Sequence, residues 1–237
     1  MKNGKMNTVF FDAADTLFYI KDGLGNTYAR VARKYGANPS PDDIKKAFSK
    51  AFRSQPPLAF GSVTKSEREA LEKEWWRKVV EEVYTEIGMF DDFDNHFDEL
   101  FEVFRSDAWT LFPETGDVLS DLKSKGYNLG IISNFDSRVY DVMKRLGIYE
   151  YFDTLVISSE AGYAKPEHMI FSIALERTGT DPAQTLHIGD DLHNDFHGAR
   201  ALGIKALLLD REGEHDPADL PDRIKHLSEV EKFLEGA

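Results

Sequence analysis

Five short apolar runs constrain the fold of this chain more than any other feature, because one stands alone at the start and four are gathered in the second half. Thr8-Val9-Phe10-Phe11 comes first, and Asn128 to Ser133, Thr154 to Ser158, Thr185 to Gly189 and Lys205 to Leu209 follow much later. The last four are separated by segments whose apolar residues recur at helical spacing. Short apolar strands alternating with helices predict a parallel sheet covered by helices on both faces. The interval from about residue 20 to about residue 108 is different: its apolar positions follow the helical period throughout. One α/β core interrupted by an all-helical insertion accounts for both patterns.

The inserted block reads as a series of helices. Leu24, Tyr28, Val31 and Tyr35 make the first apolar stripe, stopped by Gly36. Ser40-Pro41, with Asp43 three residues on from Ser40, opens a second helix carrying Ile44, Ala47, Phe48, Ala51 and Phe52. Thr64 and Glu67 form a capping-box pair ahead of a long helix with Leu71, Trp75, Val79, Val83 and Ile87. Phe93, Phe97, Leu100, Phe101 and Phe104 mark a fourth. In the second half, helices are expected from Pro113, through Val139 to Leu146, from Pro166 to Arg177 and from Asn194 to Leu202. Arg211 to Pro221 reads as loop, and Ile224 to Leu234 as a segment packed back on the core.

Composition removes several classes of function. The 237 residues carry 29 Lys and Arg against 42 Asp and Glu, a net charge of -13. That field repels nucleic-acid backbones and anionic lipid, so neither is an expected partner. There is no cysteine, which excludes thiolate catalysis, disulfides and Cys-based zinc sites. No apolar run is long enough to span a bilayer. The start, Met1 to Met6, is polar and lacks the apolar stretch of a signal peptide, so a cytoplasmic location is the expectation.

In an open parallel sheet, ligands bind beyond the carboxyl ends of the strands. The chemically capable residues sit there: Asp12 after the first run, Ser133-Asn134 at the end of the second, Lys165-Pro166 after the third, and Gly189-Asp190-Asp191 with Asp195 after the fourth. Each alone is ordinary. A strand-end Asp is commonly a cap or a solvated charge, and acids commonly open helices. Together, in order and spacing, Asp12 to Thr16, Ser133-Asn134, Lys165-Pro166 and Gly189-Asp190 to Asp195 resemble the four motifs of the haloacid dehalogenase-like (HAD) hydrolase superfamily. Ala161 to Pro166 and Gly198 to Gly203 match its framing segments. The helical block stands where that superfamily inserts a helical cap. Arg53-Ser54-Gln55 and the Glu74-Trp75-Trp76 region are similar to the haloacid dehalogenase-like hydrolase domain-containing subgroup, whose members often lack the second Asp too.

The resemblance implies an α/β, Rossmann-like parallel-sheet core, residues 1-19 and 109-237, and a helical cap, residues 20-108. It implies a small phosphorylated substrate, Asp12 as nucleophile, and Ser133, Asn134 and Lys165 on the phosphoryl group. It also implies Mg²⁺ held by Asp12, the backbone carbonyl of Ala14, Asp190 and Asp195. An oxygen-only ligand set suits that ion. Ala14 stands where the superfamily's second Asp, the general acid/base, is usual. Asp15 is one position further on, where adjacent residues of an extended segment would point apart. Arg53 and Gln55, beside Pro56-Pro57, are the cap residues expected to touch substrate. His187 is expected to be structural, and Asp191 and Asp15 solvated or capping. The chain is expected to be a monomer or homodimer.

Three other readings remain open at this stage. Phosphonoacetaldehyde hydrolases resemble this chain in having Ala at the second-Asp position, but they need a cap lysine; Lys45, Lys46 and Lys50 are available. 2-Haloacid dehalogenases share the nucleophile and lack the second Asp, but also lack an acidic fourth motif. A catalytically weak relative that binds a ligand and regulates is the third.

Overall fold

The structure is a computed structural model that describes residues 6–216, 218 and 220–234. Expectations that touch residues 1–5, 217, 219 and 235–237, including the reading of the polar start, lie outside the described residues. In chain order the elements are β1 (Thr8–Phe11), β2 (Phe18–Ile20), α1 (Leu24–Arg33), α2 (Pro41–Ser54), α3 (Lys65–Ile87), α4 (Phe93–Arg105), β3 (Trp109–Leu111), α5 (Thr115–Ser124), β4 (Asn128–Ser133), α6 (Arg138–Arg145), β5 (Thr154–Ile157), α7 (Ser158–Ala161), α8 (His168–Thr178), β6 (Thr185–Gly189), α9 (Gly198–Arg200), β7 (Lys205–Leu209), β8 (Arg223–Ile224) and α10 (Glu231–Leu234).

The apolar runs form one parallel six-stranded sheet in the order β5-β4-β1-β6-β7-β8. This bears out the Rossmann-like core with a helical insertion. Every residue of β1 is buried, as a central strand covered on both faces requires. From β1 the chain builds β4 and β5 to one side, then returns to add β6, β7 and β8 on the other. The sheet therefore reverses direction at β1, the position where ligands bind in such folds. One apolar cluster, including Phe11, Ile131, Val142 and Leu209, covers one face; a second, including Phe10, Ile132, Phe171 and Leu208, covers the other.

The insertion, α1 to α4, has its own apolar centre around Tyr28, Val79, Val83, Tyr84, Phe97 and Leu100. Its helices start where their caps are written. The Ser40 hydroxyl accepts from Asp43 N with Pro41 at the first turn. Thr64 and Glu67 close a reciprocal box, Thr64 N to Glu67 Oε2 at 2.9 Å and Glu67 N to Thr64 Oγ1 at 3.3 Å. A short antiparallel ribbon of β2 and β3 ties the two ends of the insertion together, Phe18 opposite Leu111 and Ile20 opposite Trp109. Three-residue strands are below the length at which periodicity signals a strand, and this ribbon was not expected from sequence.

Two expectations need correction. The long-helix stripe drifts: Trp75, Val79 and Val83 are buried, but Leu71 is 41% exposed. A ladder of i+4 steps rotates by about 40° per step around a 3.6-residue helix, so its end leaves the face. Glu72 is buried instead, where it accepts the backbone N–H of Ser137 at 3.1 Å and also its hydroxyl. Asn194 to Leu202 is not one α-helix. A π-helical turn spans Leu192–His197 before α9. Beyond the loop expected from Arg211 to Pro221, Ile224, Leu227, Val230 and Leu234 pack back on the core as expected, and β8 adds Arg223, which binds Asp210 at 2.6 Å.

Candidate active site

Strand register gathers the polar residues. Phe11 lies opposite Ile131 on one side and Ile188 on the other, so Asp12, Ser133 and Asp190 emerge on one rim. Asp12 N–H donates to Ile188 O at 2.8 Å, which fixes the nucleophile-type loop against β6. The Ser133 hydroxyl donates to Asp12 Oδ1 at 2.9 Å. Lys165 Nζ donates to the same oxygen at 2.5 Å and to Asp195 Oδ1 at 2.6 Å. Asp12, Ser133, Lys165 and Asp195 are all buried. Asp12 Oδ2 carries no hydrogen bond among the described residues, so one oxygen of this carboxylate is held and the other is available.

Asp190 is exposed on the same rim and receives the Thr16 hydroxyl at 3.1 Å. One oxygen each of Asp12, Asp190 and Asp195 lie within 4.8 Å of one another. Such a trio of hard oxygen donors fits a small divalent cation such as Mg²⁺. Its electrostatics point the same way. Enclosure by the protein and then the neighbouring Asp12 and Asp195 charges push the Asp190 carboxyl up to about 8. Water reaches Asp190 and screens part of that push. Burial raises Asp12 as well, against the opposing pull of Lys165. Burial also opposes ionisation of Asp195, but Lys165 and His187 outweigh it and hold that carboxyl well below the usual range. Lys165 loses solvation, yet its two carboxylate partners keep it firmly protonated.

Local sequence explains how Asp195 gets there. A Cβ on Gly189 would sit 2.1 Å from Asp195 Cγ, so only glycine leaves room for that side chain under the end of β6. Asp191 caps the π turn, accepting from His193 N at 2.8 Å and Asn194 N at 2.7 Å. This is the capping role expected of it. The turn closes with Phe196 N–H on Asp191 O. Asp191 N–H in turn donates to Asp195 Oδ2 at 3.2 Å. π turns of this kind are common at functional sites.

Two partners escaped the sequence reading. His187, fully buried in β6, places Nε2 2.8 Å from Asp195 Oδ1. Its Nδ1 has no partner among the described residues; Asp195 is held ionised and can only accept, so Nε2 carries the proton and His187 donates. Its place within an apolar strand run marked it as structural but could not name the carboxylate. Arg211 donates to Thr16 O at 2.9 Å and Glu114 Oε1 at 2.7 Å, with its guanidinium 3.5 Å from the centre of the Phe112 ring. A lone Arg in a polar segment gives no signal of that clamp. The loop it holds also corrects the argument about Asp15. The chain is not extended there: Asp15 has φ 60°, and both Ala14 and Asp15 line the same cleft.

Asn134 faces the cleft, but its amide clasps the backbone of Lys165, donating to Lys165 O at 2.9 Å and accepting from Lys165 N at 2.7 Å. The cleft continues into a cavity of about 530 Å³ between core and cap. Arg53 and Gln55 line its cap side, away from the carboxylates; Gln55 donates to Glu82 Oε1 at 2.8 Å. None of Lys45, Lys46 and Lys50 lines the cavity, and Lys50 pairs with Glu86 on the outer surface. The cap is joined to the core next to Ser133 and Asn134. Trp76 Nε1 donates to buried Asp136 at 2.5 Å, and Arg138 braces the same carboxylate through Nε at 2.9 Å and Nη2 at 2.7 Å. Gly162, at φ 75°, allows the Gly61 backbone of the cap to approach within 2.5 Å of where a Cβ would stand. Among the described residues, no helix is long and apolar enough to cross a membrane.

Residues 6–203 match the family model described as haloacid dehalogenase-like hydrolase. The chain is 30% identical over 219 residues to haloacid dehalogenase-like hydrolase domain-containing protein 3 of Danio rerio, covering 90% of this chain and 89% of that protein. It is 31% identical over 227 residues to a glyceraldehyde 3-phosphate phosphatase of Methanothermobacter thermautotrophicus, covering 87% of each. Its structure superposes with TM-score 0.69 on a HAD phosphatase from Thermococcus onnurineus at 25% identity, covering 98% and 99% of the two chains.

Proposed function

The chain belongs to the haloacid dehalogenase-like hydrolase family and is an enzyme of that hydrolase type, and we propose that it is a magnesium-dependent phosphatase acting through Asp12 on a small phosphorylated molecule. The observation that carries this reading is the grouping of Asp12, Asp190 and Asp195 within 4.8 Å, with one ammonium, that of Lys165, paired to Asp12 and Asp195 only. Three carboxylates with one buried cation leave excess negative charge at the place where a phosphoryl anion must dock. A divalent cation is the simplest way to make that site receptive. The relative named as a glyceraldehyde 3-phosphate phosphatase supports a phosphorylated metabolite as substrate.

On this reading Asp12, Asp190 and the Ala14 carbonyl would hold the cation, with Asp195 beside them in the outer place. Asp195 suits the outer place because Lys165, His187 and Asp191 N–H already occupy its oxygens. When bound, the cation neutralises charge on the phosphoryl oxygens. The free oxygen of Asp12 attacks phosphorus in line and the ester P–O bond breaks. The alcohol oxygen leaves with the bonding pair and takes a proton from solvent. Water then attacks phosphorus in the aspartyl phosphate, the P–O bond to Asp12 breaks, and phosphate and free Asp12 result. Ser133 and Lys165 donate to the phosphoryl oxygens throughout. Asn134 holds the Lys165 backbone in register, and residues 20-108 close over the substrate as a cap. Ala14 supplies no acid or base, so the leaving group is protonated by water, and turnover is modest.

The acidic fourth motif beside Asp12 favours phosphoryl transfer over dehalogenation. The absence of a lysine from the cap wall argues against a Schiff-base route to C–P cleavage. The test is a panel of phosphate esters with and without Mg²⁺, with Asp12→Asn as the blank. Turnover that needs both the metal and Asp12 is expected; activity that survives in the blank overturns the assignment of the nucleophile, and a protein inactive on every ester overturns the reading.

A further inference from the structure

Resting on the phosphatase reading, we infer that the alcohol portion of the substrate is a bulky, aryl-bearing group and not a small polyol. The cavity of about 530 Å³ runs from Lys165 and Asn134 at the core into the cap. Its volume lies in the range that encloses drug-sized ligands, roughly 300–1,000 Å³, far more than a phosphoryl group needs.

The distribution of polar side chains along that cavity decides the class. At the core end stand Asp15, Asn134, Lys165 and Asn194, and at the cap mouth Arg53 and Gln55. The wall between is apolar and mostly aromatic, with Phe48, Phe52, Trp75, Trp76, Phe101 and Phe104 among its members. Phe48 stacks on Phe52 with centroids 5.6 Å apart and on Trp76 at 6.5 Å. Phe52 is 43% exposed, an unusually open position for phenylalanine, and is one of the residues of this wall.

The polar atoms of that wall are already engaged. Trp75 Nε1 donates to Pro56 O at 2.9 Å, Trp76 Nε1 to Asp136 at 2.5 Å and Trp109 Nε1 to Phe104 O at 2.8 Å. Arg138 is committed to Asp136. The Tyr28 hydroxyl is the one side-chain group on the mid-wall with no hydrogen bond among the described residues. A polyol threaded through this region would leave most of its hydroxyls without partners, and unpaired buried polar groups are strongly selected against. An aromatic ring meets faces and edges suited to it instead. Arg53, which forms no ion pair among the described residues, closes the mouth over the ring.

Two probes with equivalent primary-alkoxide leaving groups separate the classes without bias from leaving-group chemistry: 2-phenylethyl phosphate and glycerol 3-phosphate. With Mg²⁺, kcat/KM for the phenylethyl ester is expected to exceed that for the glycerol ester by at least about tenfold. The Asp12→Asn protein should bind the phenylethyl ester tighter by a similar factor. Phe52→Ser, at a half-exposed position, should narrow the ratio by at least about fivefold with its thermal melt retained. A glycerol ester turned over as well or better overturns the aryl-alcohol assignment while the phosphatase stands. Turnover of neither ester, with no binding to Asp12→Asn, overturns both. A ratio unmoved by Phe52→Ser with an intact melt overturns the role of the aromatic wall.

Discussion

Lys165 Nζ lies 2.5 Å from Asp12 Oδ1 with both side chains buried, and the same ammonium also serves Asp195 at 2.6 Å. One cation is thus divided between two carboxylates, and Asp190 beside them has none. That imbalance sets the electrostatic character of the cleft and leads to the first two predictions.

Replacing Lys165 by Met leaves Asp12 and Asp195 buried without their cation. Breaking a buried pair in this way costs about 3–5 kcal/mol, so the urea midpoint of the metal-free protein should fall substantially. Turnover should fall with it, and Lys165→Arg should not restore it, since a planar guanidinium cannot occupy the ammonium's place between two single oxygens. An unchanged midpoint in Lys165→Met would mean that water, not Lys165, satisfies the carboxylates.

In the folded protein, burial and the Asp12 and Asp195 charges push the Asp190 carboxyl up to about 8, against the ordinary carboxylate value of about 4 when unfolded. Between those values the folded state binds more protons than the unfolded state. Stability of the metal-free protein therefore falls as pH rises from about 4 to about 8. A bound divalent cation reverses the penalty. Saturating Mg²⁺, at about a hundredfold over its Kd, should add about 2.7 kcal/mol, seen as a rise in Tm that is larger at pH 8 than at pH 6. Asp190→Asn should raise the metal-free Tm at pH 8 and remove most of the response to Mg²⁺. Differential scanning calorimetry with and without the ion decides it; a pH-independent Tm in EDTA would refute the electrostatic account.

Ala14 lines the same cleft as Asp15 and Lys165, so a carboxylate added there faces that cleft. General acid–base groups are typically worth about 10²–10⁴-fold. Ala14→Asp should therefore raise kcat on alkyl phosphates at least about tenfold, with little gain on esters whose leaving groups need no proton. Equal kcat values in the two proteins, with equal melts, would show that proton transfer is not limiting.

Local patterns reach a long way in this chain. The apolar runs determine the strands, and one run preceding the helical block with four succeeding it marks an insertion into a single α/β core; the order of the strands, with its reversal at β1, is seen only in the fold. Asp12, Ser133 and Asp190 stand at strand ends, where the register of a parallel sheet brings them to one rim whatever the remaining details. Thr64 and Glu67 specify a helix start because a capping box is satisfied within four residues of chain. Such features depend on near neighbours and on the choice between buried and exposed, and a single chain states both.

The rest required the folded chain, because it depends on which distant atom fills a given space. His187 reads as a buried strand residue, yet its meaning comes from Asp195 on the following turn. Glu72 looks like a solvated helix acid until the Ser137 backbone donates to it. Arg211 is one charge in a polar stretch until it reaches back to Thr16. Asp15 departs from the extended path because the loop around it closes on Phe18 through a 2.7 Å backbone bond. Periodicity, capping and burial were written in the sequence, since a few adjacent residues suffice to set them. The pairing of buried polar groups was decided by tertiary structure alone, because a hydrogen bond requires a partner's position, and position is a property of the whole fold.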